Sequence, residues 1–443
     1  MPVVPEQASE QAYHPIASDE APAHSWAADL GPGLASAGAD NDPSGIVTYS
    51  LAGAQFGYDM LWMFVLSYPS MVALQLVSGR IAVSTGKGLT ANMREHYARS
   101  LFYLAVARFV VANTFNIAAD VVAMGVAVQL LWHGSLVLFA ALSCILSLAL
   151  QWFVPYGQYA RVVKWFVAAL FAYAGVSVVL GAPWDTIAIR SLVPRITWTE
   201  DYFTMLLAVL GTTISPYLMY SQAEQQVEEL RPQPATLDAD SNVGRDARQY
   251  PVDQLRKLRR NTLLRTALSN ALGFFIMAAA AITLHAAAHR LDDSHDAASV
   301  LAPLAHGLAS HVLALALFGT ALLALPPLAG SAAHAAASAF HWRRDKHRDR
   351  RIALMLAGLM VLGGAIGISL SVMRMDPIRI LYWSAVLNGM TAAPVMVLLV
   401  LLSTRRSAVG DLSAHWMLRA LSWVAIATTS AAVAARYAFE WLV

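Results

Sequence analysis

The residues that could do chemistry in this chain are oxygen donors. Asp40, Asn41 and Asp42 stand side by side and are followed at once by Pro43, all inside an apolar segment of about residues 30–56. A second group, Thr212, Thr213 and Ser215 followed by Pro216, lies in another apolar segment, about residues 200–229. An aspartate in the middle of a membrane helix costs roughly 2.5–3.5 kcal/mol on insertion scales, so two of them almost adjacent are poorly explained by packing. A proline removes a backbone donor and clashes with the carbonyl four residues earlier. In lipid the freed carbonyls need other partners. Carboxylates, hydroxyls and freed carbonyls together offer what a bound cation needs. A cap on a half-helix is the alternative for Asp40, and Pro216 alone would mean little, since proline is common in membrane helices.

The elements that must position these groups are membrane spans. Of 443 residues 57% are hydrophobic and 13% charged, with a mean hydropathy of +0.52. Soluble domains are nearer a quarter charged. Apolar runs separated by short charged stretches are expected at about 30–55, 58–82, 101–132, 133–154, 162–182, 200–229, 261–288, 307–340, 352–373, 377–402 and 415–441, which makes eleven spans. Residues 296–306 are expected as an interfacial helix. Residues 1–28 are polar, lack the basic start and apolar core of a signal peptide, and are expected as a disordered cytoplasmic tail. The single Cys144 permits no intrachain disulfide.

Lys and Arg cluster in alternate loops, around Arg80–Arg99, Arg161–Lys164, Arg231–Arg260, Arg343–Arg351 and Arg405–Arg406. The positive-inside rule puts those loops in the cytoplasm, the N-terminus inside and the C-terminus outside. Compact loops and this bias suggest a bacterial inner membrane. The 230–260 loop ends in a basic run, Leu255 to Arg260, expected to be a cytosolic loop obeying that rule; anionic-lipid binding is the sharper alternative. Nothing in the sequence suggests a nucleic-acid partner.

The two proline breaks fall in spans one and six. Two halves of five spans, about 29–182 and 200–402, each opening with an interrupted helix, are then inverted relative to one another, with an extra helix at about 415–441. Such repeats are the sequence pointer to a transporter with its site at the midplane between two discontinuous helices. The expected fold is therefore an all-α membrane protein of the 5+5 inverted-repeat type.

At these residues the chain resembles the natural resistance-associated macrophage protein (Nramp) family of divalent-metal transporters, which share the LeuT-type fold. That family carries D-P-G-N in its first helix and M-P-H in its sixth. The corresponding stretches here are Asp42-Pro43-Ser44-Gly45 and Ser215-Pro216-Tyr217. Ala52 to Tyr58 with Leu61-Trp62, the Thr85-Gly86-Lys87-Gly88 loop, Leu301-Ala302-Pro303-Leu304 and the layout of spans nine to eleven extend the resemblance over about residues 30–440.

The resemblance implies Asp42 as a carboxylate ligand and the Thr212 carbonyl as a ligand freed by the break. The departures are informative. Ser215 replaces a soft thioether that favours manganese, iron and cadmium, which leaves an all-oxygen site suited to magnesium, calcium or manganese. Gly45 replaces an asparagine ligand, for which Asp40 and Asn41 could compensate. Tyr217 replaces a histidine and Ile117 an aspartate of the proton path, although Asp120 remains one turn on. The pattern is most like the Nramp-related magnesium-transporter branch. Gln222 is a candidate lining the inner exit, or an inter-helix hydrogen bond. Asn388 matches the neighbourhood of a gating glutamine and is a candidate water-mediated ligand. Asp120 is equally readable as a salt-bridge partner or a proton acceptor. His334 and the glycines Gly363, Gly364 and Gly367 read as helix packing.

No catalytic constellation is present, so no enzyme, and no cofactor beyond a transported cation, is expected. The partners expected are a divalent metal ion and the bilayer, with the chain as a monomer. The rivals to a magnesium or manganese carrier are a proton-coupled manganese or iron symporter, an organic-solute carrier on the same fold and a non-transporting metal sensor.

Overall fold

A computed structural model describes residues 38, 40–230, 249–285, 308–340, 342, 348–409 and 414–442. The helices are α1 (Pro43–Phe56), α2 (Trp62–Thr85), α3 (Leu89–His96), α4 (Arg99–Leu131), α5 (Leu136–Phe153), α6 (Tyr156–Ala168), α7 (Phe171–Val179), α8 (Trp184–Leu192), α9 (Glu200–Thr213), α10 (Pro216–Glu229), α11 (Gln249–Ala280), α12 (Leu308–Ala339), α13 (Arg348–Val372), α14 (Pro377–Ser403), α15 (Arg406–Val409) and α16 (Trp416–Leu442). Nine spans among the described residues are long and apolar enough to cross a membrane, counting Glu200–Glu229 as one. The other two of the eleven expected spans are interrupted. The first has a helical Asp40, a break, and then α1. The fifth is split into α6 and α7 by a turn at Ala169-Leu170.

The starts of the helices follow their capping residues. Asp42 caps α1 and Asp376 caps α14, each with proline at the first helical position, where the missing N–H costs nothing. Thr199 caps α9, with Glu200 and Asp201 in its first turn against the positive end of the helix dipole. Gly86, at φ 64°, ends α2 in the left-handed conformation and returns its N–H to the Ala82 carbonyl.

Two elements differ from expectation. The fifth span is not continuous: Ala172 and Tyr173 bond back to Ala169 and Leu170 in a tightened turn that no proline or glycine announces. The basic stretch of the 230–260 loop is helical, because α11 begins at Gln249, before the expected 261. Leu, Arg and Lys are strong helix formers, and Leu258 is buried against Val72 and Leu76 of α2. Gly79 makes room for that leucine, whose Cδ2 lies 2.7 Å from where a Cβ at Gly79 would be. The expected tail 1–28 and the expected interfacial helix 296–306 lie outside the described residues.

Glycines set the closest contacts among the helices that carry the breaks. A Cβ on Gly211 of α9 would overlap the Ala385 carbonyl, and one on Gly389 of α14 would overlap the Leu207 carbonyl, so these two helices touch backbone to backbone. Gly53 of α1 lies in the same way against the Met277 carbonyl of α11, and Gly57, at φ 58°, lies against the His285 ring. On α13, Gly363 and Gly367 face Ile117 and the Ala118 carbonyl of α4, and Gly364 faces Cys144 of α5. That is the close packing expected of these three glycines.

Candidate metal centre

Asp42 sits where the first span breaks. Its Oδ1 accepts the Gly45 N–H (2.8 Å) and the Ser44 hydroxyl (2.7 Å). The Gly45 N–H is thereby diverted from the Asn41 carbonyl four residues back, and Pro43 has no N–H to give. The sixth span breaks at Ile214-Ser215. Ile214 still donates to Leu210 (2.8 Å), but the donor that would serve Thr212 belongs to position 216, which is proline. Sequence alone therefore exposes the Thr212 carbonyl. Ser215 takes the cap position of α10 without capping it. Its hydroxyl is buried, with no hydrogen-bond partner.

The two breaks face each other. A Cβ built on Gly45 would lie 3.4 Å from Asp42 Oδ1 and 3.7 Å from Thr212 Cβ. With Tyr49 Cε2 at 3.5 Å these are ordinary contacts, so a methyl group would just fit between the two breaks. Tyr49, one turn further along α1, reaches Thr213 Oγ1 at 3.2 Å and ties the halves together. Tyr217 is buried within electrostatic reach of Asp40, Asp42, Asp120 and Arg265.

The other candidate residues divide into two sets. Asn388 lies on α14 beside the break, held there by the Gly211–Gly389 contact. Its Oδ1 accepts from Asn116 Nδ2 of α4 (2.9 Å), and Asn116 in turn accepts from the Ser384 hydroxyl. One turn on from Asn116, Asp120 is fully buried, and neither carboxyl oxygen has a hydrogen-bond partner. No arginine pairs with it among the described residues, and it is close enough to Asp42 for the two charges to interact. The salt-bridge expectation for Asp120 is not met.

Asp40, Asn41 and Gln222 face α11 instead. Arg265 Nε lies 3.4 Å from Asp40 Oδ2, and its Nη2 donates to Gln222 Oε1 (3.0 Å) and to Gln75 Oε1 of α2. Asn41 donates to the carbonyl and hydroxyl of Ser269, one turn further along α11 (3.1 and 2.9 Å). Of the eight candidates, Asp42, Gly45, Thr212 and Ser215 meet at the breaks, and Asn388 lies beside them. Asp40 and Gln222 share Arg265, which is partly buried. His334 lies 3.7 Å from Glu224 of α10, joining two helices as a packing residue would.

Arg265, Gln75, Asn116, Ser384 and Tyr49 were not singled out in the sequence. Arg265 had a usable signal. It lies inside an expected span, where an ionisable residue is a functional candidate by default, but it follows closely on a basic run and reads as the end of a loop. The amides and hydroxyls carry no signal of their own.

The comparisons with known proteins agree with this architecture. Two divalent metal cation transporters named MntH, from Klebsiella pneumoniae strain 342 and from K. pneumoniae subsp. pneumoniae, are each 24% identical over 411 residues, covering 90% of this chain and 91% of theirs. A crystal structure of a mutant of the Eremococcus coleocola manganese transporter superposes with a TM-score of 0.67 at 16% identity, covering 94% of this chain and 87% of that one. Mhp1, a nucleobase-cation-symport-1 family transporter, superposes with a TM-score of 0.57 at 12% identity over 92% of this chain and 91% of its own. The fold is the LeuT type, with helices one and six broken. A family model described as natural resistance-associated macrophage protein-like matches residues 33–437, and on that match the chain belongs to the Nramp family.

Proposed function

We propose that this protein carries a divalent metal cation, magnesium or manganese, across the membrane by alternating access, inward and without strict proton coupling. Its membership of the Nramp family and its MntH relatives support metal transport. The observation that carries the choice of ion is the buried Ser215 hydroxyl, which has no hydrogen-bond partner and stands at the sixth-span break, in the place where the family resemblance puts a thioether. Oxygen donors suit hard cations. Magnesium keeps several of its waters, so a site of few protein oxygens suits it.

In this reading Asp42, Thr212 and Ser215 are the first ligands, and Asn388 acts through water. Asp40, Asn41 and Gln222 hold the two breaks in place. The arginine- and lysine-rich loops lie in the cytoplasm, in a bacterial inner membrane, with the chain acting as a monomer. The membrane potential suffices as driving force: two charges at 100 mV are worth roughly 4.6 kcal/mol, about three decades of concentration.

A second reading, a proton-coupled manganese or iron symporter, is favoured by Asp120, a buried carboxyl group with no hydrogen-bond partner, close to Asp42. One experiment separates the two. Purified protein in proteoliposomes loaded with a manganese-quenched dye is assayed against excess magnesium, then cadmium, at two pH values, beside Asp42→Ala and Asp120→Asn. Competition by magnesium, a flat pH response and an inert Asp42→Ala support the hard-ion uniporter. Indifference to magnesium, block by cadmium, and acid stimulation that vanishes in Asp120→Asn give the symporter.

A further inference from the structure

Arg265 is an arginine in the interior of a membrane protein, with its side chain 12% exposed, beside a carboxylate that is 4% exposed. A charge so placed is expensive and marks function by default. Its partners come from three separate elements. Asp40 belongs to the stub before the first break, Gln222 to α10 after the sixth break, and Gln75 to α2. Span one runs into its break from the end where the basic loops lie, and span six runs out of its break toward that same end. The arginine therefore joins the two broken helices on one side of the site only, the side that ends in the basic loops. Arg265 Nε and Asp40 Oδ2 are 3.4 Å apart but make no hydrogen bond, and both atoms are buried without another partner.

We propose that Arg265 is a tethered cation that closes the inner side of the site. It occupies Asp40, Gln222 and Gln75, so those oxygens are withheld from the transported ion, and it must swing aside to let that ion leave. Its own positive charge opposes a cation moving toward the cytoplasm while the junction is closed. The coordination half of this inference rests on the cation-transport reading. The gating half does not.

The test uses Leu218, one turn before Gln222 on the same face of α10, on the site side of the junction, and 3% exposed. Leu218→Cys is made in a Cys144→Ser background, reconstituted in nanodiscs, and labelled with a membrane-impermeant thiol reagent, with no transported ion present. The parent is expected to label slowly. Arg265→Gln and Asp40→Asn are each expected to label about tenfold faster. Arg265→Lys, which keeps the charge but cannot serve three partners through one planar fork, is expected to fall between. If Arg265→Gln is not monodisperse, Asp40→Asn and Gln222→Ala decide the matter. Equal rates in all folded variants would overturn the gate.

Manganese binding tests the coordination half. Arg265→Gln frees Asp40 and is expected to lower Kd at least threefold, and Asp40→Asn/Arg265→Gln is expected to restore the parent value. An unchanged Kd in the single variant would overturn that half. Absence of manganese binding in the parent would overturn the transport reading and leave the labelling result standing.

Discussion

Replacing Asp42 with asparagine separates two jobs that one carboxylate performs. The first is local: Oδ1 accepts two hydrogen bonds and starts α1. Asparagine caps a helix about as well as aspartate, so Asp42→Asn should leave the break intact, whereas Asp42→Ala should cost about 1 kcal/mol. The second job is charge. Two unit charges 4 Å apart at an effective dielectric of about 20 interact by about 4 kcal/mol, and a divalent ion doubles that. If desolvation returns three-quarters of it, about 2 kcal/mol remains, or roughly thirtyfold in Kd. Titration calorimetry of both variants with manganese and magnesium, beside thermal melts in the same detergent, reads the two jobs independently. The expected pattern is an unchanged melt with at least thirtyfold weaker binding in Asp42→Asn, and a lower melt with equally weak binding in Asp42→Ala. Binding within threefold of the parent in Asp42→Asn would refute the reasoning and leave Asp42 as a cap.

Ser215→Met should raise cadmium affinity relative to magnesium about tenfold, measured by competition for manganese uptake, because a thioether then replaces a hard oxygen. Pro216→Ala gives the Thr212 carbonyl a donor and should cut flux at least tenfold with little change in melting temperature. Equal flux would mean that carbonyl is no ligand. Gly45→Asn places its Cβ at ordinary contact distance, 3.4 Å from Asp42 Oδ1, and should favour manganese over magnesium in the same competition assay. Gly389→Ala forces a methyl group onto the Leu207 carbonyl and should cost about 1–3 kcal/mol, visible as a lowered melting temperature.

The spans were legible because a membrane helix must be both long and apolar, and the two breaks because proline cannot complete the hydrogen-bond ladder. Asp42 and Ser215 stand immediately before the two prolines, and Thr212 is the residue four before Pro216 whose carbonyl loses its donor. The turn at Ala169-Leu170 was not legible, since neither residue is a helix breaker. Nor was the early start of α11, which depends on Leu258 finding a slot beside Gly79. The partners of Asp40 and Gln222 were hidden for a different reason. They depend on which helix lies alongside, and residues far apart in sequence carry no mark of their meeting.

The contact between Gly53 and the Met277 carbonyl has a mechanical consequence. A rod cut in the middle stays straight if an unbroken one is splinted to it, and α11 is that splint for the first span. Beyond the cut it is fastened by the close fit of Gly53 on the Met277 carbonyl and by the His285 ring bonded to the Ala54 carbonyl (2.8 Å). Before the cut it is fastened by Arg265 and Ser269, through polar contacts that water or an ion can replace. The two sides of the cut are therefore held differently: Asp40 and Asn41, before Pro43, through side-chain contacts alone, and the piece after it through close packing on the Met277 backbone as well.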